Sequence, residues 1–269
     1  MPLMEPITKK EMMEGLRCPA IVGAEEGSRT TYAWQSLAHA YFLFSGLWLW
    51  CRWTFRRLFL LGPGNPNKER ALLVRRFQRY LSLLERWGII EIQFIGFEDV
   101  ASWRGSLIAP NHPSILDVLL IMTKVPALDC VMNARLLRNP VTSGGARLCN
   151  FIQNTSLRPI IRLCRENLEK GSNILIFPEG TRTITPPIGP FYHTFTLAAK
   201  SASAPIRTIL IECDSDYFGR KFSYFKPARC PMRFRLTAGP VFYATPETDP
   251  QALSAQVEAY FLGQLSGGR

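Results

Sequence analysis

Apolar residues in this chain fall into three successive patterns. From Thr30 to Cys51 the run TTYAWQSLAHAYFLFSGLWLWC carries no formal charge over 22 residues. A bilayer-spanning helix needs roughly 20 predominantly apolar residues, so the length suffices, although Gln35, Ser36, His39 and Ser45 dilute it. Directly after it, Arg52, Arg56 and Arg57 interleave with Trp53, Phe55 and Phe59. Aromatic and basic side chains mixed in this way suit a membrane–water interface. The pattern predicts a membrane anchor, spanning or half-buried, rather than an apolar core helix.

The second pattern follows the breaker GPGNPN, Gly62 to Asn67. Leu73, Phe77, Tyr80, Leu81, Leu84 and Trp87 recur at helical spacing, while Arg75, Arg76, Arg79 and Arg86 occupy much of the remaining surface. This predicts a basic amphipathic helix that packs one face on a core.

The third pattern starts near residue 90, where short β-type runs alternate with helical ones. The strands are expected at Glu91–Phe97, Ser106–Ala109, Asn173–Phe177, Ile206–Ile211 and Met232–Thr237. Helices are expected at Ile115–Thr123 and Ile160–Lys170, and a last one opens at Asp249-Pro250 and runs to Leu265. Such alternation predicts an α/β domain with a largely parallel sheet flanked by helices, behind an N-terminal membrane-associating helical element. The expected division is a loose leader over 1–29, a membrane-anchoring helical segment over 30–66 and the α/β domain over 67–269.

Composition narrows the partners. At 269 residues with 47% hydrophobic and 20% charged side chains, the chain can bury a substantial core. Its formal net charge of +11 draws polyanions. Nucleic acid is the poorer match, since no zinc spacing, RRM-type aromatic signature or convincing helix-turn-helix occurs. An anionic membrane surface fits the juxtaposed apolar and basic stretches better. Seven scattered cysteines without a CxxC spacing point to reduced thiols in a cytosol-facing domain, with neither a zinc site nor a disulfide framework.

Two segments carry candidate chemistry. In SLIAPNHPSILDVLL an apolar strand ends at Pro110, and Pro113 can occupy the first turn of a helix. His112 then sits at the strand-to-helix junction, biased away from helical backbone by the following proline. Two residues five apart in a regular helix lie about 140° apart; with His112 outside the helix, its ring can turn back to Asp117. A neutral imidazole oriented by a carboxylate is a general base for an acceptor hydroxyl. In ILIFPEGTR an apolar strand runs into Pro178, Glu179, Gly180, Thr181 and Arg182. Gly180 allows close backbone approach, and the Arg182 guanidinium suits phosphate. Ligands of parallel α/β sheets gather beyond strand carboxyl ends, so the two loops are expected to converge.

In this order, NHPSILD (Asn111, His112, Asp117) and FPEGTRT (Phe177 to Thr183) resemble the glycerophospholipid acyltransferase family, which includes the 1-acylglycerol-3-phosphate acyltransferases. The resemblance covers roughly residues 85 to 245. It implies that 67–269 is an acyltransferase domain moving an acyl group from acyl-CoA or acyl carrier protein to a lipid hydroxyl at the cytoplasmic face of a membrane. His112 would be the base, Asp117 its orienting partner, and Glu179, Gly180, Thr181 and Arg182 the acceptor site. No metal or resident cofactor is implied.

The chain departs from the family where cationic or flexible residues are common. Asn133 stands for a lysine, Asn154 for an arginine with Arg158 four residues on, and Tyr192, His193 and Thr194 replace a basic, glycine-containing run. These changes leave open a lysolipid acceptor, an aminolipid or glycolipid acceptor, or an idle membrane-binding homologue. A serine hydrolase built on Ser114 is disfavoured by the absence of a GxSxG elbow.

Overall fold

The computed structural model describes residues 29–61, 64–215, 219 and 230–266. The expected leader over 1–29 lies almost wholly outside the described residues.

Among the described residues seven strands form one sheet in the order β1-β7-β6-β2-β5-β3-β4. They are β1 (Ile90–Ile95), β2 (Leu107–Pro110), β3 (Leu128–Asn133), β4 (Ile152–Asn154), β5 (Asn173–Leu175), β6 (Pro205–Cys213) and β7 (Met232–Tyr243). The block β6-β2-β5-β3-β4 is parallel throughout. Strand β7 turns back antiparallel on β6, pairing Cys213 with Phe234, and β1 runs parallel to β7. The carboxyl ends of β2, β5 and β6 therefore share one edge. Every residue of β2 is buried, as a central strand covered on both faces requires.

Helices cover both faces. On one lie α1 (Arg29–Leu58), α2 (Pro66–Arg86), α3 (Asp117–Met122) and α4 (Pro140–Leu148); on the other lie α5 (Leu157–Glu169), α6 (Thr194–Ala202) and α7 (Pro250–Ser266). The first core gathers Leu73, Tyr80 and Leu84 of α2 with Leu120 and Ile121 of α3. The second joins Cys164 of α5, Phe195 of α6 and Val257 and Phe261 of α7. Helix α2 starts earlier than its apolar periodicity alone suggests. Asn65 caps it by accepting from the Asn67 N–H, and Pro66 occupies its first turn, so part of the breaker is a helix start.

The α/β expectation with a mostly parallel sheet matches the structure. Strands β3 and β4 and helices α4 and α6 were not anticipated. Strand β3 contains the buried Asp129, paired with Arg70 of α2, and that charge interrupts the apolar run by which a strand is recognised. Strand β4 has three residues with one buried, too few to show a period.

Helix α1 is longer than expected, at 30 residues, and lies along the domain. It crosses α4 at two glycines. A Cβ on Gly144 would come within 2.2 Å of the Trp50 nitrogen, and one on Gly46 within 2.3 Å of the Val141 carbonyl oxygen. Aromatic contacts extend the seam to α2, with Trp34 stacked on Trp87 at 5.1 Å and Tyr41 on Tyr80 at 6.1 Å. Leu37, Phe44 and Phe55 of α1 are exposed, Trp34 and Trp48 are partly exposed beside their contacts with Trp87 and Arg76, and Leu58 to Leu61 follow as an exposed apolar tip. Among the described residues no helix is long and apolar enough to cross a membrane. The spanning form of the anchor expectation therefore has no support in α1, whose polar residues have a use inside the fold: buried Gln35 donates to the Cys230 sulfur at 3.0 Å.

Because backbone faces Gly144, a side chain there cannot be absorbed by a rotamer change. Gly144→Ala is expected to destabilise the fold by about 1–3 kcal/mol, measured by chemical denaturation, with α1 loosened first in hydrogen exchange.

Candidate active site

The carboxyl ends of β2 and β5 deliver the two motif loops to one place. Asn111, buried just after β2, acts like one more sheet residue. Its side-chain amide donates to the Ile211 carbonyl at 2.8 Å and its Oδ1 accepts from the Ile211 N–H at 2.7 Å. The chain is thus fixed to β6 immediately before His112. Helix α3 begins at Asp117 rather than at Ile115. Residues 113–116 form the preceding turn, closed by the Ser114 N–H donating to Asp117 Oδ2 at 2.8 Å and by the Leu116 N–H donating to Ser114 Oγ at 3.1 Å. That turn folds the imidazole back over the helix start, and His112 Nδ1 lies 2.9 Å from Asp117 Oδ2.

Asp117 is fully buried, and His112 retains 15% side-chain exposure. Burial pushes the Asp117 carboxyl above its ordinary range and nearby Glu179 adds to this; the hydrogen bonds from His112 and the Ser114 N–H pull the other way. Its second oxygen, Oδ1, has no hydrogen-bond partner among the described residues. A carboxylate that accepts at Nδ1 leaves the lone pair of the neutral ring on Nε2. The ring is also held from one face: Phe177 stacks on it with centroids 3.7 Å apart and planes 19° from parallel.

Glu179 provides the junction between the loops. It is 3% exposed. Its Oε1 accepts the His112 N–H at 2.9 Å and the Thr183 hydroxyl at 2.9 Å, and its Oε2 accepts the Gly189 N–H at 2.7 Å. The Thr183 N–H in turn donates to the His112 carbonyl at 2.7 Å. Both Glu179 oxygens are engaged within the protein, so any influence on an acceptor passes through the loops it joins. Gly180 makes the turn at φ +65°, exposed, with the Tyr192 ring against it. Thr181 is exposed; Arg182 is half-buried and donates through Nη1 to the Gly219 carbonyl at 2.6 Å. Among the departures from the family, Asn133 caps the turn Ala134–Arg138, accepting from the Arg135 N–H, and Asn154 and Arg158 are exposed. His193 is exposed just before α6.

Phe177 and Thr183 stood within the motif without an assigned part, and Gly189 was unmarked. A phenylalanine ending a strand and a glycine ten residues beyond a glutamate carry no local signal for these contacts. Among the described residues no cluster of histidine, cysteine and carboxylate side chains could hold a metal ion. Burial pushes the thiols of Cys130, Cys149 and Cys164 up to about 12.

The fold and the paired loops define an α/β protein with a carboxylate-oriented histidine at the strand carboxyl ends. A family model described as Acyltransferase matches residues 91–212. The chain is 24% identical over 150 residues to a chloroplastic 1-acyl-sn-glycerol-3-phosphate acyltransferase of Arabidopsis thaliana, covering 51% of this chain and 42% of that one. It is 29% identical over 134 residues to the human 1-acyl-sn-glycerol-3-phosphate acyltransferase beta, covering 45% and 46%. The chain thus matches less than half the length of these relatives. The crystal structure of the 1-acyl-sn-glycerophosphate acyltransferase PlsC from Thermotoga maritima shares the fold, with a TM-score of 0.65 over 88% of this chain and 94% of that one at 19% identity. The segment matched by the Acyltransferase model contains both motif loops, NHPSILD and FPEGTRT.

Two outcomes follow from the buried carboxylates. Glu179→Gln places an amide donor where three donors converge, and is expected to cost about 1–3 kcal/mol of stability by chemical denaturation. Asp117→Asn is expected to match or exceed the parent in stability at neutral pH. The folded-state pKa of Asp117 is raised, so ionisation weakens the parent as pH rises from the unfolded carboxyl value through the folded one; the variant's advantage should grow over that window in denaturation midpoints and vanish below it.

Proposed function

We propose that this protein transfers a fatty acyl group from an acyl-CoA or acyl carrier protein thioester to the hydroxyl of a lysophospholipid-like acceptor, with 1-acyl-sn-glycerol-3-phosphate the first candidate. The observation that carries the reading is the 2.9 Å contact of His112 Nδ1 with buried Asp117, in a loop whose main chain is held by Glu179 of the FPEGTR segment. Nε2 takes the acceptor hydroxyl proton as its oxygen attacks the thioester carbonyl carbon. The tetrahedral oxyanion then re-forms the carbonyl, the C–S bond breaks, and the proton on the imidazolium passes to the departing thiolate. Ester and free thiol result, and the base is restored. Asp117 fixes the tautomer and stabilises the imidazolium, and the Phe177 face adds a cation–π attraction in the same state. Arg182, which donates to the Gly219 carbonyl, carries a guanidinium suited to an acceptor phosphate, while Gly180 and Thr181 form the exposed turn beside it.

A second reading concerns the acceptor. Neutral Asn133, Asn154 and Tyr192 stand where family members commonly carry cationic or flexible residues, and the Tyr192 ring lies where a side chain on Gly180 would meet it. Those replacements favour an aminolipid or glycolipid hydroxyl over a phosphate monoester.

The same reading places the protein on the cytoplasmic face of a membrane. The exposed apolar side of α1 and the tip at Leu58 to Leu61 would enter the interface, and the +11 net charge would favour an anionic surface.

With labelled acyl-CoA, His112→Ala is expected to lose about 10²–10⁴-fold in transfer rate, and Asp117→Asn to lose activity while keeping its stability. Lysophosphatidate turnover exceeding that of lyso-aminolipids selects the first acceptor reading, and the reverse order selects the second. Unchanged transfer in His112→Ala would end the mechanism.

A further inference from the structure

At the sheet edge opposite His112 lies a cavity of about 540 Å³. Its walls come from the segment before β2 (Arg104), the link from α3 to β3 (Lys124 to Leu128), the turn before β5 (Lys170 to Ser172) and the start of α2 (Asn67, Arg70). Four cationic side chains from four separate segments line it, and none of the lining residues is acidic. Arg70 is committed to Asp129, with Asn67 Oδ1 at 3.0 Å as its second partner. Among the described residues no ion pair involves Arg104, Lys124 or Lys170. Arg104 is held by donating to the Ala101 and Trp103 carbonyls at 3.0 and 2.7 Å, whereas the Lys124 ammonium sits 4.4 Å over the Phe94 ring and near Glu85, neither of which lines the cavity.

A solvated basic surface would spread such charges over convex ground. Here Arg104 and Lys170 flank a depression walled partly by Val74, Met122 and Val125, where apolar material strengthens the field of nearby charges. The volume falls in the range of small-molecule sites. With Arg70 given to Asp129 and Lys124 near Glu85, Arg104 and Lys170 are the donors on offer, and arginine and lysine donors are the chemistry that receives phosphate oxygens. The amino end of α2 adds its positive dipole at the same mouth.

We propose that this cavity binds a phosphate-bearing anion, either a soluble phosphorylated metabolite or the headgroup of an anionic lipid, at a site separate from His112. The acyl-transfer reading is not needed for it.

The test uses the full chain. Calorimetric titration with inorganic pyrophosphate is expected to saturate at one equivalent and to weaken with salt. Arg104→Ser and Lys170→Ser should each weaken it roughly tenfold or more, while Lys68→Ser, on the exposed side of α2, leaves it unchanged. His112→Ala should bind pyrophosphate as the parent does, so loss of transfer and loss of this site are distinguishable. In a second arm, sedimentation with phosphatidylcholine vesicles containing phosphatidylglycerol compares the same variants. Losses confined to this arm identify a lipid headgroup. No saturable pyrophosphate binding and no vesicle difference between parent, Arg104→Ser and Lys170→Ser would overturn the proposal, as would an equal loss in Lys68→Ser.

Discussion

The carboxylate of Glu179 lies at the crossing of two chain segments some seventy residues apart, and the geometry of His112 depends on it. One oxygen takes the His112 main-chain N–H together with the Thr183 hydroxyl, and the other takes the Gly189 N–H. Burying a carboxylate costs far less when its oxygens accept hydrogen bonds, and three converging donors supply them here. The constraint works in both directions. The loops are held because the carboxylate needs them, and the carboxylate can be buried because the loops supply donors. With the His112 main chain fixed by Glu179 and the preceding residue fixed to β6 through Asn111, the imidazole is left to swing only about its own side-chain torsions. Asp117 on one nitrogen and Phe177 on one face then limit those.

The sheet makes this crossing possible. Strands β2, β5 and β6 are parallel and adjacent, so their carboxyl ends open on the same edge. The segment after β2 carries the histidine, the segment after β5 carries the glutamate, and β6 supplies the main chain that grips Asn111. Strand β7 is antiparallel to β6, which brings its beginning, and Cys230 before it, to the same edge, where Gln35 of α1 reaches the cysteine sulfur. The N-terminal helix is thereby joined to the domain near the site as well as through its glycine crossings with α4. An element that reads in isolation as a membrane segment is also a structural part of the α/β unit.

Charge is distributed in keeping with this layout. The buried acidic groups are spent inside: Asp117 on His112, Asp129 on Arg70, Glu69 on Arg52 at 2.8 Å, and Glu179 on the loops. Cations dominate what is left, which gives the large positive excess two distinct outlets, the aromatic and basic flank of α1 and the cavity at the amino ends of the strands.

The sequence by itself determined the α/β class, most of the strands around the site and the identity of the histidine and aspartate, because local periodicity and motif spacing are properties of neighbouring residues. The alternation of apolar runs located β1, β2, β5, β6 and β7, whereas β3 and β4 were hidden by a buried charge and by brevity. Asp117 was legible as a partner for His112, yet the turn over residues 113–116 that lets them meet was not. Tertiary structure alone decided that Glu179 faces inward, that Phe177 lies under the imidazole, and that Gly46 and Gly144 exist to let α1 and α4 touch. Each of those facts depends on a partner far along the chain. A contact between distant segments leaves no periodic trace in either one, so it becomes visible only when both are folded against the same sheet.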